Sequence, residues 1–581
     1  MAAPHRNGWR ARQDKWLNRA NARLSGLSHT ARRFVSQPEP RAIGDVARGR
    51  QFVAGNVLYA GHLVELGAQS PWNITPPTDA FEDALHSFFW LDDLAALGDA
   101  PARKTAQAWT ADWAERFGNG TGPGWTPALA GRRLIRLTQH APLLLRKQTK
   151  EGSDALFATL SRQTAFVARR WRAAPPGLPR FEALTGLLYA SLSLDGMDRH
   201  RAAASAGLDR ECAARIDSEG GLPSRNPEEL LDVFSLLSWA AAALADCEAK
   251  PGPEHQAALE RIAPTLRALR HPDGSLARFH GGDAGPEGRL DEVLAASGIR
   301  TRPGEGLHMG YGHLSAGRTH VIVDAAPPPM GAVSPDAHAS SCAIEVMSGR
   351  RPLIVNCGPG RTFGATWHRA GRATPSHSTL CLEGLSSGRL ARRGGAELMV
   401  DGPRDVPTDR ARIRDGHRFE VAHDGYRASH GLIHARTLEL TIDGRGLAGE
   451  DLLTTLDPAD EKRFERVIAG QDLNGIAFTI RFHLHPDARV AADPGGASAS
   501  IALKSGEVWI LRADGFTDLT IEPSAYLQKT RLKPRSAQQV VLSGRAMSYA
   551  TRVRWSLAKA QQTPDAIRDL AIEAEDDEDH E

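Results

Sequence analysis

Groups able to do acid/base or metal chemistry gather in residues 334–384, SPDAHASSCAIEVMSGRRPLIVNCGPGRTFGATWHRAGRATPSHSTLCLEG. His338 and His377, with Asn356, could form a metal site, since imidazole nitrogens suit zinc. They could equally be hydrogen-bonded core histidines. The carboxylates Asp336 and Glu345 have no evident facing partner, which weakens hydrolysis by paired acids. Further on, His423-Asp424-Gly425-Tyr426 and His434-Ala435-Arg436 form a second histidine-rich pair of segments. Arg436 with Tyr426 could grip an acidic sugar. His483 and His485 alternate along one strand face and could chelate zinc, but no carboxylate matches them, and a solvated face is expected. Upstream, Arg225 or Asn226 in Gly221–Pro227 could bind a carboxylate. Asn226 before Pro227 also reads as a helix N-cap. In Arg270–Gly281, Arg278 and His280 flank Phe279, and a linker is expected. Glycines on either side of Tyr311 would let a ligand approach closely. A tyrosine holding a sandwich corner is the alternative.

These groups need elements to hold them. Apolar runs at 342–347 and 352–355, joined by Ser348-Gly349-Arg350-Arg351, predict a β-hairpin with polar groups at one rim. Before it, apolar residues recur at three- and four-residue spacing over 79–97, 103–117, 129–141, 154–173, 180–194 and 227–245, which predicts helices. Breakers at 118–123, 175–177 and 250–253 separate them. Phe88-Phe89-Trp90, Trp109 and Trp113 read as core filler between helices. Past about residue 306 the period becomes two, predicting strands at 318–324, 343–347, 352–355, 378–382, 436–442, 478–485, 508–512, 519–522 and 553–557. A helical half followed by a β-sandwich implies two sequential domains. Their expected limits are 51–304 and 305–560, with a basic N-terminal arm over 1–50 and an acidic tail over 561–581.

Composition bounds the rest. The chain has 581 residues, 41% hydrophobic and 24% charged, with a net charge of +2. That balance gives no general pull toward nucleic acid or membranes. The arm and the tail read as solvated termini. Five cysteines without C-x-x-C spacing argue against a disulfide framework or a cysteine zinc site and read as buried apolar groups. No apolar run of about 18 residues predicts a membrane span. The N-terminus lacks the apolar core of a secretory signal, which predicts a cytoplasmic location.

Several dispersed motifs resemble the heparinase II/III family. They are Arg225-Asn226-Pro227, Asp273–Phe279 (DGSLARF), Gly310-Tyr311, Ala337-His338-Ala339, Val355–Gly358 (VNCG) and Ser376–Leu380 (SHSTL), with His423–Tyr426, His434–Arg436 and Gly449-Glu450-Asp451 beyond them. The likeness runs from about residue 55 to 557. It implies an incomplete (α/α) toroid followed by an antiparallel β-sandwich, and a lyase acting by β-elimination on an acidic, uronic-acid polysaccharide. Such chemistry needs a group to offset the carboxylate, a base for the C5 proton and an acid for the leaving oxygen. The resemblance suggests Tyr311 or Tyr426 as base, His338 or His377 as acid, and Arg225 or Asn226 on the carboxylate. Arg372 and Arg436 would bind substrate, and zinc would sit on His338, Asn356 and His377. The chain also departs from the family's His-x-His-x-Asp segment, with Asp336 in place of the catalytic His and Ser340 in place of the acid. Asn356 stands where the family has a zinc-ligating Asp, and 224–230 holds Glu228 and Glu229 but no Tyr. A catalytically inactive glycan-binding or scaffold protein of the cell envelope is therefore the alternative. The resemblance also implies a periplasmic or envelope location, against the cytoplasmic one read from the N-terminus.

Overall fold

A computed structural model describes residues 9–67 and 69–560. The acidic tail lies outside them. The helical half is built from helices whose starts are written in the sequence. Asp99, Thr126, Asn226 and Asp457 each cap a helix that opens on proline at its first or second position, accepting main-chain N–H groups through their side chains. Helices Pro127–Gln139 and Leu178–Ser193 pack backbone to backbone at Gly131 and Gly186. A β-carbon on Gly186 would lie 2.3 Å from the Gly131 carbonyl oxygen. Only glycine allows that approach.

The helix expected over 79–97 is two helices, Asp79–His86 and Phe89–Leu97. Phe88 breaks it with φ of 64°, and its buried ring lies 4.7 Å from Trp90 and 5.5 Å from Trp113. Aromatic packing outweighs local helix propensity here. The arm was expected to be solvated, yet from residue 9 it starts with the helix Trp9–Leu24. Asn18 and Asp14 accept from Arg170 on the helix Lys150–Arg170, which ties this helix to the toroid.

The second half is a sandwich of two antiparallel eight-stranded sheets. One sheet runs Thr408–Ile413, Gly416–His423, Ile433–Thr441, Gly446–Thr454, Ala550–Lys559, Val508–Ala513, Ser498–Ala502, Arg489–Ala492. The other runs Asp518–Tyr526, Arg535–Ala546, Ile476–Leu484, Arg351–Val355, Ile344–Ser348, Thr319–Asp324, Tyr311–Ala316, with Leu380–Leu382 also beside Ile476–Leu484. The expected hairpin is present, pairing Val346 with Ile354 across a bulge at Val346/Met347. Leucine, isoleucine, valine and aromatic side chains from both inner faces fill the core, among them Phe482 and Trp555 at 4.8 Å. The exposed hairpin of Arg389–Arg393 and Ala396–Asp401 was not expected, because arginines mask its alternation.

Candidate functional site at the seam between toroid and sandwich

Most of the singled-out residues meet where the toroid abuts the second sheet. Asn226 caps the helix Pro227–Ala245, its Oδ1 accepting from the Glu228 and Glu229 N–H groups at 3.0 and 3.1 Å. Just before it Arg225 takes φ of 51°, and its guanidinium crosses to the sandwich. It donates to the main-chain oxygens of Met309, Gly310, Ala326 and Pro327 at 2.9–3.1 Å and pairs with Asp324. Burial alone would make the guanidinium easier to deprotonate, but Asp324 reverses this. The Tyr311 hydroxyl donates to the Arg225 carbonyl oxygen at 2.5 Å. Burial holds that phenol well above its usual range.

Asp324 also accepts from Ser340 Oγ at 2.6 Å and faces His280 Nε2 at 3.5 Å. His280 and His338 brace one another. The His338 N–H donates to His280 Nδ1 at 3.0 Å, and the His280 and Gly281 N–H groups point at His338 Nδ1 and Nε2 at 3.1 and 3.0 Å. A neutral imidazole accepts at one nitrogen only, so the ring edge is held against two donors and engages one. His377 lies 4.8 Å from the His338 ring, fully buried. Among the described residues neither of its ring nitrogens meets a hydrogen-bond partner. Burial lowers all three histidines, His377 to about 3.

The expected linker 270–281 is thus part of the seam. Arg278 and His280 are buried, and the Glu345 carboxylate accepts from the Arg278 N–H and pairs with His271 at 2.9 Å. Glu345 thus faces a histidine and a main-chain donor, not a second carboxylate. Asp336 likewise faces bases, accepting from Arg361 Nε at 2.7 Å and lying 2.9 Å from His368 Nε2. Burial would raise the Asp336 carboxyl, but His368 and Arg361 outweigh it and hold it well below the usual range. A salt-bridged strap closes the same side. Lys529 bonds Glu228 through its amine at 2.5 Å and Asp283 through its N–H at 2.7 Å, while Arg278 Nε reaches Asp283 at 3.0 Å.

Zinc fits this arrangement poorly. Asn356 Oδ1 accepts from the Ser378 N–H at 2.9 Å and its amide donates to Glu345 at 3.3 Å. The His338 ring edge faces main-chain donors, and His377 alone of the three keeps both nitrogens unengaged. Three converging lone pairs are not available.

Of the remaining candidates, Arg372 adjoins the seam beside Asp336 and His338 with its donors spent, while Arg436 and Tyr426 lie elsewhere. Arg372 is buried and donates to the main-chain oxygens of Ser334, Ala337 and Glu397. Arg436 and Tyr426 lie inside the sandwich. Arg436 pairs with both oxygens of Asp451 at 2.8 and 3.1 Å, and the Tyr426 hydroxyl donates to the Leu385 carbonyl at 3.2 Å. His483 and His485, expected on a solvated face, are buried. Both faces are covered only at the end of the strand Ile476–Leu484, where His483 bonds Ser524 Oγ at 2.7 Å and the Pro375 carbonyl at 3.0 Å. His271 and Lys529 were not singled out in the sequence, since each acts through a partner 74 or more positions away, and His280 was expected only as part of a linker.

An (α/α) toroid joined along such a seam to a two-sheet sandwich is the architecture of the heparinases. Residues 299–556 match the heparinase II/III-like C-terminal family. FtsZ-localized protein C of Caulobacter vibrioides (strain NA1000 / CB15N) is 31% identical over 537 residues, covering 90% of this chain and 89% of that protein. Among solved structures, Heparinase III superposes with a TM-score of 0.66 at 12% identity, covering 95% of this chain and 90% of that one. A mutant of the heparan sulfate lyase HepC from Pedobacter heparinus gives 0.59 at 13% identity, covering 96% and 90%. At those identities the superpositions establish the fold alone. The chain belongs to the heparinase II/III-like family. No helix among the described residues is long and apolar enough to cross a membrane.

Proposed function

We propose that this chain uses the lyase fold for binding rather than for β-elimination, as a scaffold protein that localises with FtsZ. The carrying observation is that the candidate acid, base and carboxylate-binding groups are consumed by one another. The Tyr311 hydroxyl is given to a main-chain carbonyl, the Arg225 charge to Asp324, and the His338 ring edge to two N–H groups. A base must reach its substrate's proton, and a carboxylate clamp needs unspent donors. The relative that matches 90% of the chain is named for its place at FtsZ, which supports the second half of the reading.

A lyase acting on a uronic-acid polysaccharide is the second reading, and His377 favours it. An imidazole with two unengaged nitrogens beside His338 could take or give a proton once the seam opened. Ultraviolet absorbance of an unsaturated uronate, screened over heparan, alginate, hyaluronan and bacterial exopolysaccharides, separates the two. No product on any polymer, with co-sedimentation of the protein on FtsZ polymers, is the expected result. Product formation that disappears in His377→Ala would establish the lyase instead.

A further inference from the structure

Within the sandwich domain, Ser429, His430 and Glu383 line up as a hydroxyl, an imidazole and a carboxylate. Ser429 Oγ lies 2.8 Å from His430 Nδ1, and His430 Nε2 lies 3.0 Å from Glu383 Oε2. Ser429 and His430 end the short helix Arg427–His430, whereas Glu383 comes from the turn after the strand Leu380–Leu382 and takes φ of 49° there. That left-handed backbone is uncommon for a residue with a β-carbon. The other Glu383 oxygen accepts from Gln471 Nε2, so the carboxylate is held at both oxygens. Burial would raise the Glu383 carboxyl, but the bonds from His430 and Gln471 outweigh it and hold it below its usual range. An ionised carboxylate only accepts, so the imidazole proton sits on Nε2 and the Nδ1 lone pair faces the serine. The other acceptor near that hydroxyl, the Tyr426 carbonyl, is farther away at 3.3 Å. His430 is buried and Ser429 is exposed, which shields the base from water and leaves the hydroxyl within reach of a ligand. Leu385 and Leu473, on the two turns that carry Glu383 and Gln471, are exposed as well.

We propose that Ser429 is a nucleophile toward small carboxylic esters, with His430 as its base and Glu383 positioning that base. A nucleophile within hydrogen-bond reach of a base that a third group orients is the arrangement acyl transfer needs. Ser429 Oγ–H gives its proton to His430 Nδ1 as Oγ bonds to the ester carbonyl carbon. The ester C–O bond breaks, and the departing alkoxide takes the proton from Nδ1. Water then attacks the acyl-serine by the same route, releasing the carboxylic acid and restoring the hydroxyl. Nothing is oxidised or reduced. The exposed leucines suit an apolar acyl group. None of the seam's groups takes part, so this activity stands apart from the binding role proposed above.

The test incubates the full-length protein with p-nitrophenyl acetate, follows nitrophenolate release and locates the acetyl group by peptide mass spectrometry. Acetylation of Ser429 is expected, with the exposed Ser548 in the same digest left unmodified. His430→Gln should slow acetylation of Ser429 by about a hundredfold, the least that a positioned base contributes. Glu383→Leu should slow it too, and Glu383→Gln, whose amide oxygen can still accept from Nε2–H, should recover part of the rate. No acetyl group on Ser429, labelling of Ser548 at the same rate, a rate untouched by His430→Gln, or equal loss in both Glu383 variants overturns the proposal. If a variant fails to fold, the comparison of Ser429 with Ser548 in the wild type decides.

Discussion

Tyr311, on the first strand of the sandwich, gives its hydroxyl proton to the main-chain oxygen of Arg225, at the end of a toroid loop. The Arg225 guanidinium lies 4.8 Å over the same ring and continues to Asp324. Two residues suited to lyase chemistry thereby lock one domain onto the other. Arg225→Met should cost about 3–5 kcal/mol, because it strands a buried Asp324 carboxylate. Tyr311→Phe should cost about 1 kcal/mol, the worth of one hydrogen bond. Urea unfolding of each variant measures this. A neutral Arg225→Met would mean the seam does not depend on the pair.

Acid should weaken the fold through its buried neutral histidines, against a smaller opposite contribution from Asp93 and Glu229, which burial raises to about 6. Burial lowers His377 to about 3, and His313 and His485 to about 4. In the unfolded chain these rings take a proton below about pH 6.5. Between that pH and the folded values the unfolded state binds more protons, so stability falls as pH falls, by about 1.4 kcal/mol per pH unit for each ring. His377→Gln should flatten the slope between about pH 6 and about pH 4 by one proton's worth. Denaturant midpoints across that range provide the comparison, and an unchanged slope would mean His377 is not buried neutral.

The large divisions of the molecule could be read because they are local. The switch from a helical to an alternating period near residue 306 falls between the helix Arg289–Ala296 and the strand Tyr311–Ala316, and Asn226-Pro227 announces a helix start that the structure contains. Side-chain partnerships could not be read, because sequence distance hides them. Arg436 and Asp451 stand opposite in register on neighbouring strands, yet nothing in either segment alone names the other. His280 meets His338 across 58 positions, and its own stretch has no period to place it. For His483, alternation gives the shared face but not that Pro375 and Ser524, 108 and 41 positions away, close on its ring.

Asn356 sits buried in the seam between Glu345 and Ser378, and its part in excluding a metal can be tested by one change. Its amide donates to Glu345 Oε1 at 3.3 Å while Oδ1 accepts from the Ser378 N–H. Asn356→Asp keeps the acceptor, removes the donor and sets a second carboxylate against a buried first one. Loss of the donor leaves Glu345 short of a bond, and repulsion adds to it, so a cost of about 2–4 kcal/mol is expected. If the family's zinc arrangement were latent, added Zn2+ would recover the lost stability through the new carboxylate with His338 and His377. Because the His338 ring edge is held by the His280 and Gly281 N–H groups, Zn2+ should leave the melting temperature of Asn356→Asp unchanged. Recovery by several degrees, lost again on adding His377→Ala, would show that the His338 contacts yield to metal and that the seam can be returned to a zinc site.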